Sequence, residues 1–148
     1  MQTAWEDLEL GAETGRFTLQ VTRQMIEEYV AALEITHPWF LGPVSPYGVQ
    51  IAPSDMVPKL GMEQLFQDYV GRVIGRNMRA KQEFKFYAPI RPGMVVSAVG
   101  KLTGKYEKRG KRFITLEALF VDDEGHPLVL DKRTQYIPKL TDPAKKGI

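Results

Sequence analysis

The sequence predicts an α+β domain in which an antiparallel sheet wraps around a long buried helix. Three observations predict this fold class: an alternating strand near the start, a helical stretch whose second helix is apolar almost all round, and four alternating segments after it. A sheet of this kind needs a cover over one face, and the apolar helix can supply it. With 148 residues, 43% of them hydrophobic, the chain is predicted to be one domain, residues 1–148.

Composition excludes several classes of protein. The sequence contains no Cys, which excludes disulfides and thiolate metal sites, and it shows no metal-binding spacing. The net charge of +2 is too small to indicate a nucleic-acid partner. No apolar run reaches the ~18 residues typical of a membrane span, and the acidic segment Met1–Leu10 is unlike a signal peptide. We therefore expect a cytoplasmic protein with no membrane partner.

The first strand and helix are predicted from alternation and capping. Residues Phe17–Val21 alternate between apolar and polar, which favours a strand. Thr22 suits the N-cap of a helix that begins at Arg23. That helix carries an apolar stripe of helical period, made of Ile26, Tyr29, Val30 and Leu33.

Residues 36–53 are predicted to form an irregular loop, because they contain four Pro and two Gly. Their many apolar side chains indicate a loop that packs against the domain and lines a space within it. Ser54 and Asp55 then suit the cap of a second helix, which is predicted to run to about Arg72 and to be buried on most sides.

The remainder predicts four strands in a meander. The alternating segments are residues 79–88, 94–105, 112–121 and 127–137. Turns are predicted at Pro89–Gly93, Glu107–Gly110 and Asp122–Gly125, where Pro, Gly and charged residues cluster. The polar segment after residue 137 is expected to fray.

Two stretches resemble the MaoC-like hydratase and dehydratase family, in particular its FAS1-like dehydratase N-terminal branch. One is Gly48–Ser54, which leads into the buried helix. The other is Gln82–Phe86, followed by Ala88–Met94 and the strands after it. The resemblance covers roughly residues 15–138. It implies the hotdog fold, with the sheet wrapped around the helix, and action on acyl thioesters.

Active members of that family carry Asp-x-Asn-Pro-x-His before the buried helix and Ile-Ala-His-Gly at its start. On the first motif, Ile35 stands at the Asp position, His37 at the Asn position and Phe40 at the His position. On the second, Pro53 stands at the His position and Ser54 at the Gly position. The matching residues are Pro38, Ile51 and Ala52. The resemblance thus implies a member without the Asp/His pair.

The implied function is that of a subunit in an acyl-thioester hydratase or dehydratase, of the enoyl-coenzyme A type. This chain would be the non-catalytic half and would pair with an Asp/His-bearing hotdog chain. The alternatives are a homodimer that binds acyl thioesters without catalysis, and an active hydratase or thioesterase that uses His37. Coenzyme A or a carrier protein would bring the acyl group as substrate, and no cofactor is expected.

Candidate site residues follow from the resemblance and from residue chemistry. His37 is either catalytic or a structural histidine in an apolar loop. Ser54 and Asp55 are helix caps, or they mark backbone N–H groups that hold a thioester oxygen. The predicted substrate-binding residues are Trp39, Phe40, Tyr47, Ile51, Ala52, Ser54 and Asp55. Aromatic residues in such a loop, here Trp39, Phe40 and Tyr47, more often serve packing than a pocket.

A basic hairpin is the predicted phosphate contact. Lys105, Lys108 and Arg109 lie close to the turn at Glu107–Gly110. They are either solvated or they contact the phosphates of coenzyme A or of a carrier arm. Since a lone hotdog sheet leaves free edge strands, we expect the chain to form a homo- or hetero-oligomer.

Overall fold

The computed structural model describes residues 5–138 and contains five strands, two α-helices and short helical turns. Two 3₁₀ turns lie at Trp5–Asp7 and Pro38–Phe40. The central helix is the continuous segment 56–74, in which α2 passes into π-helical turns at Glu63–Gln67 and Val70–Ile74. The regular elements are β1 Glu13–Gln20, α1 Arg23–Ala32, α2 Met56–Met62, β2 Met78–Phe86, β3 Val95–Lys108, β4 Lys111–Val121 and β5 Pro127–Ile137.

The five strands form one antiparallel sheet in the order β1-β3-β4-β5-β2. The predicted antiparallel sheet is therefore confirmed, but the predicted four-strand meander is wrong for its first strand. β2 pairs with β5 rather than with β3, and β1 takes the place beside β3. Alternation shows that a segment is a strand, whereas its neighbour depends on contacts between distant parts of the chain.

The first helix follows the sequence prediction at its start and departs from it at its end. The Thr22 hydroxyl accepts a hydrogen bond from the Met25 backbone N–H at 3.1 Å, which confirms the predicted cap. Ile26 and Val30 are buried, as the apolar stripe predicts. Leu33, the last member of that stripe, is 52% exposed because the helix has already ended there.

The central helix packs one face on the sheet and leaves the other exposed. Its buried apolar residues are Met56, Val57, Leu65, Phe66, Tyr69, Val70 and Ile74. Leu60 is 47% exposed and Gln64 is also exposed, so the expected burial on nearly all sides is wrong for the outer face. The helix ends at Ile74, close to the predicted end at about Arg72, and Gly75 stops it with a φ of 82°.

Small and hydroxyl side chains let the sheet approach the central helix closely. A Cβ at Gly15 would overlap the carbonyl oxygen of Gln64, and one at Gly100 would overlap the Thr14 hydroxyl. Thr14 is buried and donates its hydroxyl to the Leu65 carbonyl at 2.7 Å. This contact joins β1 to the first π-helical turn and fixes the helix against the sheet. Within residues 5–138, no helix has the length and apolar character needed to cross a bilayer.

Candidate functional site

The loop at residues 36–53 is held to the domain by backbone hydrogen bonds at its end. The Ile51 N–H donates to the Trp39 carbonyl at 3.1 Å, and the Ala52 N–H donates to the Ile90 carbonyl at 2.8 Å. Ile51 and Ala52 are therefore buried beside the connection between β2 and β3. They lie in the buried segment that leads into the central helix, where the resemblance placed substrate contacts.

Gln50 is the polar anchor of this loop. It is 4% exposed, and its Nε2 donates to the Phe40 carbonyl at 2.7 Å. Arg23, the first residue of α1, donates its Nε to Gln50 Oε1 at 3.2 Å. Sequence reasoning did not include either residue, although Gln50 stands as a single polar residue between Val49 and Ile51.

His37 caps the short 3₁₀ turn at Pro38–Phe40. Its Nδ1 accepts a hydrogen bond from the Trp39 backbone N–H at 3.3 Å. Its ring lies 5.0 Å from the Trp39 ring and 5.4 Å from the Phe40 ring, measured between centroids. In the part of the chain that the structure describes, no carboxylate pairs with His37. This is the structural role that the sequence left open beside a catalytic one.

The aromatic residues of the loop differ in burial. Phe40 is half-buried and packs against the core. Trp39 is 38% exposed and Tyr47 is 59% exposed, and Val44 in the same loop is 61% exposed. The expectation of a closely packed loop is therefore wrong for its middle, which presents apolar side chains to solvent.

The start of the central helix is not capped by a side chain. Asp55 occupies the N-cap position without a capping hydrogen bond, so the predicted cap role is wrong for this residue. Its carboxylate lies 2.8 Å from Lys59 Nζ, and this hydrogen bond raises the pKa of Lys59. Ser54 is exposed. The Asp55 carboxylate is thus directed toward Lys59 and not toward the first backbone N–H groups.

A cavity of about 600 Å³ lies where the loop meets two connections of the sheet. Val49 and Gln50 line it from the loop, and Arg23 lines it from α1. Arg91 and the turn at Asp122–Glu124 close it from the sheet, so it contains charges of both signs. A hydrogen bond from the His126 backbone N–H lowers the pKa of Asp122, which keeps a carboxylate in this turn ionised.

The basic hairpin lies at the other end of β3. Val95 begins this strand and lines the cavity, and Lys108 ends it. The strand rise separates the two by roughly 40 Å. Lys105 Nζ donates to the carbonyl oxygens of Trp5 and Leu8, at 2.9 and 3.0 Å. Lys108 and Arg109 are exposed. Within one chain the structure does not bring these three predicted phosphate contacts to the loop.

The chain contains two histidines, and the second is exposed as expected. His126 is 66% exposed in its side chain and lies 3.1 Å from the Asp122 carboxylate, from Nδ1 to Oδ2. No group of three His, Asp or Glu side chains within residues 5–138 is arranged to bind a metal ion.

Comparisons with known proteins identify a family and support the fold. The family model described as FAS1-like, dehydratase domain region, matches residues 9–131. No curated protein matches the chain by sequence. The monoamine oxidase regulatory protein from Archaeoglobus fulgius superposes with a TM-score of 0.78 at 14% identity, covering 93% of this chain and 95% of that one.

Two further solved structures are named for dehydration or hydration. The (R)-hydratase from A. caviae involved in PHA biosynthesis has a TM-score of 0.69 at 19% identity, covering 90% of this chain and 99% of that one. The C-terminally truncated HadBC complex, a 3R-hydroxyacyl-ACP dehydratase from Mycobacterium tuberculosis, has a TM-score of 0.69 at 21% identity, covering 86% and 96%. These likenesses show a hotdog fold.

Proposed function

Because the chain belongs to the family of FAS1-like dehydratase domain regions, we propose that it is the non-catalytic subunit of an acyl-thioester hydratase or dehydratase. In this proposal it contributes the sheet, the pocket wall at Val49 and Gln50 beside the buried Ile51 and Ala52, and contacts to the thioester. A second hotdog chain supplies the acid and the base. A cytoplasmic location is part of the same proposal.

The proposal rests on the hydrogen bonding of His37. Addition of water to an enoyl thioester needs a base for the water and a proton source for the neighbouring carbon. His37 Nδ1 already accepts the Trp39 N–H, and no carboxylate among the described residues orients its ring. Asp55 is paired with Lys59. His37 and Asp55 therefore have other partners and do not form a pair.

Assembly with a second chain is supported by the edge strand β2. It has β5 on one side and no strand on the other within the described sheet. Met78 is 63% exposed, Phe86 is 53% exposed, and Tyr87 next to the strand is 45% exposed. An edge strand with this much exposed apolar surface is suited to pairing with another chain. HadBC, one of the similar structures, is described as a complex.

The test is a pair of assays on one preparation of the isolated chain. We expect weak binding of a crotonyl-type thioester by calorimetry and no turnover in the enoyl absorbance assay. His37→Ala should change neither result by more than about twofold, and His126→Ala serves as the matched control at the exposed histidine. Turnover should appear on addition of a hotdog chain that carries the Asp/His pair.

Two results would contradict the proposal. Robust turnover by the isolated chain that is lost in His37→Ala and retained in His126→Ala would assign the reaction to His37. Binding without turnover, unchanged by every candidate partner chain that co-purifies from the native source, would favour the homodimeric thioester-binding protein instead.

A further inference from the structure

The inner face of β5 carries three buried polar side chains where its neighbour carries apolar ones. Asp131, Arg133 and Gln135 alternate along β5, so they lie on one face. Their register partners on β4 are Ala118, Leu116 and Ile114, all buried beneath the central helix. Burying charge in this position is costly unless it is paired or used.

Asp131 and Arg133 form a buried ion pair that orients the guanidinium. Arg133 donates from Nη2 to Asp131 Oδ2 at 2.9 Å and from Nε to Oδ1 at 3.3 Å. Gln82 on β2 donates to the same carboxylate at 3.3 Å. The guanidinium also lies 4.9 Å from the centroid of the Phe66 ring. These contacts hold the arginine in one orientation.

The side chain of Arg133 also borders a cavity. Arg133 is 5% exposed, and its hydrogen bonds within residues 5–138 are made by Nε and Nη2, which leaves Nη1 accessible rather than fully buried. It lines a space of about 370 Å³ between the central helix and the β5–β2 side of the sheet. This volume is within the usual range for small-molecule sites. A buried, oriented donor that faces such a space is suited to an acceptor oxygen.

The lining determines which ligand fits. Met62, Phe66, Val70 and Leu116 supply an apolar wall. Arg79 and Arg133 supply two positive charges, the lining contains no carboxylate, and Asp131 offsets only one of the two charges. Arg79 makes a hydrogen bond to the neutral Gln82 and no ion pair among the described residues. One positive charge is left for a ligand with a single negative charge.

We propose that this cavity is a binding site for the terminal carboxylate of an apolar, chain-like molecule. The carboxylate receives hydrogen bonds from Arg133 Nη1 and Arg79, and the hydrocarbon part lies along the π-helical face at Phe66 and Val70. The molecule is either a free medium-chain carboxylic acid or an acyl group with a carboxylate at its far end. The site lies apart from His37 and does not depend on the proposed reaction.

Binding of three eight-carbon compounds to the isolated chain tests the charge preference. Octanoate should bind at least about tenfold more tightly than octanol or octylamine, because a charge-assisted hydrogen bond to a buried arginine forms with the carboxylate alone. Arg79→Gln should reduce this preference about threefold to tenfold. Equal affinity for octanol and octanoate, or no binding of octanoate, would overturn the proposal.

Two substitutions at one glycine test the location without breaking the ion pair. Gly71 lines the cavity, and a Cβ built on it meets no atom within 4 Å. Gly71→Leu should fill the entrance and weaken octanoate binding about tenfold or more, whereas Gly71→Ala should leave it within about twofold. Octanoate binding that survives Gly71→Leu would place the ligand elsewhere and contradict the proposal.

Comparison of thioesters distinguishes the two sources of the carboxylate. If the ligand is an acyl group, suberyl coenzyme A should bind about tenfold more tightly than octanoyl coenzyme A, and Gly71→Leu should remove the difference. If the ligand is a free acid, octanoate should bind and the two thioesters should not differ. Octanoate must bind in both cases, so its failure to bind would overturn the site and leave the proposed subunit function, tested by turnover, unaffected.

Discussion

Single residues decide how closely the sheet and the central helix approach each other. Gly15 and Gly100 leave room for the helix backbone at Gln64 and Leu65, and Thr14 bonds to the Leu65 carbonyl. Gly71, on the same helix, faces open space instead. The two kinds of glycine have different consequences for stability, because only the first kind lies against backbone that cannot move aside.

Gly15→Ala is expected to lower the free energy of unfolding by about 1–3 kcal/mol, because its Cβ would overlap the Gln64 carbonyl. Gly71→Ala is the matched control and should be neutral or stabilising by up to about 1 kcal/mol, since alanine is a better helix former. Urea unfolding of the two variants measures both changes. Equal changes in the free energy of unfolding at the two positions would show that β1 does not pack closely against the helix.

Tyr69 is expected to ionise late. It is 8% exposed, and burial raises the pKa of its hydroxyl above the ordinary value. The pKa of this hydroxyl is higher in the folded state than in the unfolded state. Its contribution to the free energy of unfolding is therefore complete below about pH 10 and is lost as the pH rises through the folded pKa. Spectrophotometric titration should show one tyrosine that ionises at a higher pH than the others. This component should disappear in Tyr69→Phe and persist in Tyr47→Phe. A late component in Tyr69→Phe would refute this assignment.

At the scale of elements, the central helix and β2 depart most from what local sequence predicts. The helix contains two π-helical turns, which are common at functional sites, and residues of both turns line the cavity of about 370 Å³ beside Arg133. β2 is exposed along most of its length, unlike β4. Both departures concern surfaces where the proposals place a ligand or a partner.

The charges of β2 predict how it pairs. Arg79, Lys81 and Lys85 outnumber Glu83. An antiparallel pairing of two copies centred on Gln82 would set Arg79 against Lys85 twice and Lys81 against Glu83 twice, so two repulsive pairs offset two attractive ones. Like charges directly opposite each other weaken a strand pair. We therefore expect weak self-association and a preference for a partner whose edge strand is acidic.

Lys85→Glu should tighten self-association about threefold to tenfold, because it replaces two repulsive pairs with attractive ones. Lys108→Glu makes the same charge change at the distant hairpin and should have little effect. Sedimentation of both variants at several protein concentrations measures the difference. An unchanged dimerisation constant in Lys85→Glu would exclude this pairing of β2.

For the whole molecule, the sheet wrapped around a helix brings together segments far apart in the chain. The Ala52 N–H donates to the Ile90 carbonyl in the connection between β2 and β3. Gln82 on β2 donates to Asp131 of the ion pair on β5. The larger cavity collects residues from α1, the loop and two turns of the sheet. The binding surfaces are therefore products of the complete fold.

The sequence by itself determined the type of each element and its order. Alternation predicted the strands, the Thr22 cap predicted the start of α1, and the motifs around Gly48–Ser54 predicted the family. These signals are local, because they depend on backbone propensity and on which face of an element is apolar. Pro and Gly likewise placed the irregular loop before the central helix.

Only the tertiary structure decided which strand β2 joins, where the helix forms π turns, and which polar residues are buried. Gln50 and Arg133 look like ordinary polar residues in the sequence, and their burial follows from hydrogen bonds to Phe40 and Asp131. Such hydrogen bonds join residues that packing brings together. The sequence around each residue therefore carries no pattern that predicts them. Sheet order and cavities arise in the same way, from contacts between distant segments rather than from the pattern within any one of them.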